Sequence, residues 1–270
     1  MAGSPSARSE VAREAPERPL PVLSPRPGGV AERFAARLQG HKPALVFAAA
    51  LILAFVVGAA LSIGLGLVVT DVLIKSGGIA SADESFITSL VGDRTSFLTS
   101  VSEVGSTVGS IVLVVIAALV AIFFAFRRQW RIAAFAAFVP LVESGLYRVT
   151  SLADPRHRPR VARLEDLDVN ASYPSGHTAA SIAVYAGLAL LLTSGITDPG
   201  KRALAWTVAI LIPIFVAMSR MYRGMHHPLD VAGGVLVGLG AIAILLFACR
   251  AAGAAAAMGD HGSVPRAESP

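Results

Sequence analysis

Between residues 43 and 248 the chain alternates long apolar runs with short polar stretches, and the longer runs reach the ~20 residues that cross a bilayer. The runs cover 43–69, 106–126, 130–152, 178–192, 203–218 and 229–248. Lipid offers no water to unpaired backbone groups, so such runs must fold as helices packed into a bundle. The expected fold class is all-α, a polytopic membrane bundle of six transmembrane helices. Composition agrees: 54% of residues are hydrophobic and 15% charged, outside the range of an ordinary water-soluble domain. Cys249 is the only cysteine and excludes an intramolecular disulfide. The net charge of +5 comes from arginines at the ends of apolar runs. That is a pattern of membrane topology, and the chain has no soluble basic domain for nucleic acid.

The flanks read differently. Residues 1–32 are rich in Pro, Ser, Arg and Glu with no apolar period, and are expected to form a disordered tail that is not a signal peptide. Residues 33–250 form the six-span domain, and 251–270 read as a flexible C-terminal tail. Between the first two runs lies a polar stretch, 70–105, with Asp83 and Glu84 ahead of Phe86, Ile87, Leu90 and Val91. Its apolar positions are too diluted for a span and predict an interfacial helix. Arg33, Arg37, Lys42, Arg127, Arg128, Arg131, Lys201, Arg202 and Arg250 fall on one side of a six-span layout. That side should be cytoplasmic, with both termini inside. The other side carries acidic residues and a second set of arginines: Arg148, Arg156, Arg158, Arg160, Arg163, Arg220 and Arg223. These break the topology rule, which suggests that they hold an anion.

Three polar segments meet on that outer side. In residues 219–230, Arg220, His226 and Asp230 lie between apolar runs, where charge and imidazole are expensive. If Pro228 opens a helix, His226 sits at its mouth with Asp230 one turn in, able to orient the ring. In 174–177, Pro-Ser-Gly-His stands just before an apolar run. Ser175 and Gly176 there offer a hydroxyl and exposed backbone N–H groups at a helix's positive end. In 156–159, Arg156 and Arg158 lie two apart, on one face of an extended chain. Guanidinium forks pair with phosphate oxygens, and His177 and His226 can divide the work of acid and nucleophile. The segments together describe a phosphate cradle with two imidazoles. Other polar residues carry less. Glu143 in the third run should face the bundle interior, while His227, Arg223 and Tyr173 read as interfacial.

Arg158-Pro159, Pro-Ser-Gly-His at 174–177, and Ser-Arg-x5-His-x3-Asp at 219–230 resemble the three signature motifs of the type 2 phosphatidic acid phosphatase family. The resemblance covers the third to sixth runs. It implies a hydrolase acting on a lipid phosphate or diphosphate: phosphatidic acid, phosphatidylglycerol phosphate or a polyprenyl diphosphate. It also implies that His226 forms a phosphohistidine, that Asp230 orients it, and that His177 serves as acid and then base. Arg158, Arg220, Ser175 and the Gly176 backbone would hold the phosphoryl oxygens, with no metal and no cofactor. One departure stands out. The family's lysine seven residues before the arginine of Arg-Pro is Ser151 here, and Arg148, three residues earlier, is the candidate replacement, with Arg156 as a secondary contact. The related fold of vanadate-dependent haloperoxidases uses a similar oxyanion pocket but is soluble. The competing readings are a phosphotransferase using the same phosphohistidine, and a catalytically silent lipid-phosphate binder or transporter, which the missing lysine alone supports.

Overall fold

A computed structural model describes residues 20–75 and 77–262. A short helix, α1 (Val30–Arg37), precedes α2 (Pro43–Leu73); α3 (Gly78–Gly92), α4 (Ser96–Phe126), α5 (Trp130–Ala153), α6 (Gly176–Thr193), α7 (Pro199–Tyr222) and α8 (Pro228–Gly262) follow. Six of them, α2 and α4 to α8, are long and apolar enough to cross a membrane. Among the described residues there is no strand, only an isolated bridge between Arg156 and Ala171. Proline opens α2, α7 and α8 at the position where a missing N–H leaves no bond unmade. Asp198 caps α7 by accepting from the Gly200 and Lys201 amides.

The spans run alternately up and down, so the ends of α2, α5 and α7 and the starts of α4, α6 and α8 share one side. The core lies between α5, α6 and α8, around Phe135, Val139, Leu146, Ala183, Ala241 and Leu245. Helix α8 approaches α6 with backbone nearly on backbone. A Cβ at Gly234 would lie 2.5 Å from the Ser175 carbonyl oxygen, and one at Gly238 the same distance from that of Ala179. This small-xxx-small seam lets two helices touch without intervening side chains. It holds the mouth of α6 against the mouth of α8. Gly105 and Gly109 form a second such seam on α4, facing Ser219 and Val216 of α7. Wider π turns interrupt α4 at Val108–Val112 and α6 at Ile182–Ala186, and Tyr185 from the second donates to the Val108 carbonyl of the first at 2.9 Å.

Several expected boundaries move. The second span begins at Ser96, ten residues before the apolar run. Ser100, Ser102 and Thr107 donate their hydroxyls to carbonyls three or four residues back, so a polar turn continues the helix. A helix does stand between the first and second spans, α3. The C-terminal segment expected to be loose from 251 is helical through Gly262, because its alanines favour helix and Ala251 and Ala254 bury against Ala31, Ala35 and Ala50. Part of the expected N-terminal tail is also ordered. Leu23 enters the core, and Arg250 donates to the Val22 carbonyl at 2.9 Å. Residues 1–19 and 263–270 lie outside the described residues.

Candidate active site

The loop from 154 to 175, between α5 and α6, folds back on itself to aim its arginines. The Arg158 amide donates to the Val169 carbonyl at 2.8 Å and the Ser172 amide to the Arg156 carbonyl at 3.0 Å. Arg158 Nε then donates to the Asp168 carbonyl at 2.8 Å and Nη1 to the Met225 carbonyl at 2.6 Å. Nη1 stands 3.5 Å from His226 Nε2. Gly224 makes the turn into the histidine segment in the left-handed region, at φ 70°. Arg94, from the link between α3 and α4, pins that turn by donating to the carbonyls of Tyr222 and Ala162.

His226 is buried, and its Nδ1 lies 2.8 Å from the Ser172 carbonyl oxygen. A carbonyl can only accept, so the proton sits on Nδ1 and Nε2 keeps its lone pair. Asp230 was expected to orient the ring directly. Its Oδ2 is 3.8 Å from Nδ1, close enough for electrostatic support but not for a hydrogen bond. That oxygen accepts instead from Ser172 Oγ at 2.6 Å and from the His227 amide at 2.8 Å. Asp230 therefore holds Ser172, and Ser172 holds His226. Burial pushes the His226 pKa below its ordinary value; the pull of Asp230 opposes this, and the Arg158 and Arg220 guanidiniums add to it.

His226, His177, Arg158, Arg220, Gly176 and Tyr147 line one cavity of about 300 Å³. Arg220 is fully buried, and its Nη1 donates to Ser106 Oγ at 2.5 Å and to Glu165 Oε1 at 2.7 Å. Its Nε and Nη2 have no partner. Unpaired guanidinium N–H groups in so dry a place imply an anionic occupant. Glu165 also accepts from Arg223 Nε at 2.6 Å. Half-burial disfavours its charged form, but the two guanidiniums outweigh that and bring its pKa down to about 2.

The remaining candidates separate. His177 and Gly176 reach the cavity, but Ser175 does not: its hydroxyl is buried against Thr178 Oγ1 at 2.9 Å. Arg156 is committed elsewhere, with Nη1 2.5 Å from Asp230 Oδ1 and Nη2 2.6 Å from Asp83 Oδ2. Arg148 is exposed and lines no part of the cavity. At that level of α5 the inward positions belong to Leu146, Thr150 and Ser151, with Tyr147 on the cavity wall. No cation of α5 stands in for the family's lysine. His227 is buried, and its Nε2 lies 3.0 Å from Glu84 Oε2 of α3. Burial disfavours its imidazolium, yet Asp230 and Glu84 outweigh this and hold its pKa above the ordinary value. Arg223 is likewise buried. Ser172 and Glu165 were not foreseen. One acts chiefly through its backbone and the other is a loop acid with no motif. Among the described residues no group of three His, Cys, Asp or Glu side chains is placed to hold a metal.

The chain is similar to known proteins. Phosphatidylglycerophosphatase B of Bacillus subtilis (strain 168) is 29% identical over 175 residues, covering 62% of this chain and 82% of that protein. Undecaprenyl-diphosphatase of Sulfolobus acidocaldarius is 40% identical over 75 residues, 28% of this chain and 32% of that protein. The crystal structure of a transmembrane PAP2 type phosphatidylglycerolphosphate phosphatase from Bacillus subtilis superposes with a TM-score of 0.56 at 26% identity, over 83% of this chain and 98% of that one. The family model of the PAP2 superfamily matches residues 152–253. That segment holds Arg158, Ser172, His177, Arg220, His226 and Asp230, and over it the chain is similar to the PAP2 superfamily.

Proposed function

We propose that the chain is an integral membrane phosphatase that hydrolyses a lipid phosphate or diphosphate through a phosphohistidine on His226. The observation that carries the reading is the pairing of an unprotonated His226 Nε2 with the unpartnered Arg220 N–H groups on one cavity. The guanidiniums of Arg158 and Arg220 and the start of α6 at Gly176 hold the phosphoryl oxygens. His226 Nε2 attacks phosphorus as the bond to the leaving oxygen breaks, and His177 protonates that oxygen. The imidazolium so formed keeps its Nδ1–H on the Ser172 carbonyl, with the Asp230 carboxylate 3.8 Å away to stabilise its charge. In the second step His177 takes a proton from water, the water oxygen bonds to phosphorus, and the N–P bond breaks to free phosphate. No step is routed through a metal.

The lysine and arginine residues on the side remote from the site favour a cytoplasmic location for both termini and an extracytoplasmic active site, with α3 at the interface. A lipid enters sideways between helices, since its tail cannot leave the hydrocarbon. The test is phosphate release by the detergent-purified protein, with a chelator present. The panel is phosphatidic acid, phosphatidylglycerol phosphate and a polyprenyl diphosphate, each with and without an added lipid alcohol. Release from at least one lipid, independent of the alcohol, is expected. Turnover that requires the alcohol would establish the transferase reading instead, and binding without turnover the silent binder.

The pH dependence follows from the nucleophile. His226 must be neutral to attack, and its lowered pKa keeps it neutral through the range where a free imidazole, near ~6.5, would take up a proton. A kcat/KM profile on the best substrate should therefore place any acid-side loss attributable to His226 below that value. An acid limb centred at the ordinary imidazole value that shifts when Asp230 is replaced by Asn would contradict this.

A further inference from the structure

The catalytic cavity has a second polar feature that the proposed chemistry does not use. Its wall continues down α5 from Tyr147 to Ser144, Glu143 and Pro140, opposite Leu113 and Val114 of α4. Glu143 is 2% exposed, in the middle of a membrane span. Its Oε1 has no hydrogen-bond partner, and its Oε2 has only the Ser144 hydroxyl, at a long 3.4 Å. A carboxyl group so deep and so poorly paired is expensive in a bundle core. An apolar residue would fill the same wall without that penalty. The unfilled hydrogen-bonding capacity points to a ligand group with its own donor.

Position narrows what that group is. Tyr147 marks the phosphate end, for its ring would stand 3.2 Å from a Cβ on Gly176. Glu143 lies one helical turn deeper on the same face, about 6 Å along the axis. A phosphate held by Arg158 and Arg220 therefore extends its leaving group past Tyr147 to Glu143 within the first few atoms. A bare hydrocarbon tail starting at the bridging oxygen would press methylenes on the carboxyl group. A leaving group with a hydroxyl on the carbon next to the phosphoester carbon brings an O–H to it.

We propose that Glu143 is a specificity-determining residue that hydrogen-bonds a hydroxyl on the leaving group, selecting lipid phosphates whose phosphorylated glycerol keeps a free neighbouring hydroxyl over isoprenoid ones. The inference rests on the phosphatase reading for the placement of the phosphate, and its test is separate from turnover. His226→Asn protein would be titrated with dioctanoyl phosphatidylglycerol phosphate and with the analogue in which propane-1,3-diol replaces the phosphorylated glycerol. The two lipids differ by that hydroxyl alone. The hydroxyl lipid should bind about tenfold more tightly, as one well-made buried hydrogen bond implies. Adding Glu143→Leu should bring the two affinities together with the deoxy lipid bound no more weakly than before, and Glu143→Gln should keep part of the preference. Equal affinities with Glu143 present would overturn the proposal without any substitution being made. So would an undiminished preference in either variant. Phosphate release from the same two lipids by the unsubstituted protein reports on the phosphatase reading separately: hydrolysis without a hydroxyl preference in binding sinks only the role of Glu143, and preference without hydrolysis sinks only the phosphatase.

Discussion

Replacing His226 with Asn should reduce phosphate release by at least about 10⁴-fold, the scale on which a lost nucleophile is felt when the rest of a site remains. Asparagine is the informative choice. Its side-chain amide can take the place of Nδ1–H and donate to the Ser172 carbonyl, so the buried hydrogen bond survives while the Nε2 lone pair disappears. The melting temperature in detergent should therefore stay close to that of the unsubstituted protein. Rapid denaturing quench of the unsubstituted protein with phosphorus-labelled lipid should trap acid-labile, base-stable label on the protein, and the Asn variant should trap none. Label retained by the variant, or rates within tenfold, would place the nucleophile elsewhere.

Arg156→Leu should have the second largest effect, and through a different route. Arg156 does not face the cavity; it joins Asp83 of α3 to Asp230 of α8, with both carboxylates almost completely buried. Removing the cation takes from both buried carboxylates the guanidinium they share and leaves Asp230 with the His227 ring at 3.3 Å, and breaking comparable buried pairs costs about 3–5 kcal/mol. Asp230 also holds Ser172 in place under His226, so activity should fall with stability. Arg156→Lys restores the charge but not the two-pronged geometry and should recover stability better than kcat. Asp83→Asn should be milder than Arg156→Leu, because its side-chain oxygen still accepts from the Leu229 amide. Denaturation in micelles alongside kcat distinguishes these outcomes. An Arg156→Leu protein as stable as its parent but with a raised KM would return Arg156 to the phosphate-binding role its sequence position suggested.

That role was a reasonable reading because Arg156 and Arg158 lie two apart in an extended stretch. Alternation alone puts them on one face. What separates them is the folding of the loop and the position of distant carboxylates. Arg158 is drawn to the Met225 carbonyl and Arg156 to Asp83 and Asp230, 73 and 74 residues away in the chain. Arg148 illustrates the same limit. Three residues from Ser151 on a helix, it shares a face only approximately, and the helix turns it outward while Ser151 stays buried.

The six spans, the side on which the polar segments gather, and the pairing of His177 with His226 and Arg220 were legible because each rests on local facts. Hydrophobic run length decides a span, parity of the spans decides the side, and the motif residues carry their chemistry in their side chains. The tertiary structure decided what depends on backbone groups and on partners far apart in sequence. Ser172 fixes the His226 tautomer through a carbonyl that every residue possesses, so no side-chain signal announces it. Glu165 gains its role when the loop lays it across Arg220 and Arg223. The glycines of α8 become a seam when α6 arrives within contact of them, and Glu143 is notable because the packed bundle leaves its Oε1 without a partner and gives its Oε2 only the Ser144 hydroxyl at 3.4 Å. Each is a matter of which groups meet in a dry interior, where an unmade hydrogen bond is costly and a made one is held, and that is decided when the helices pack.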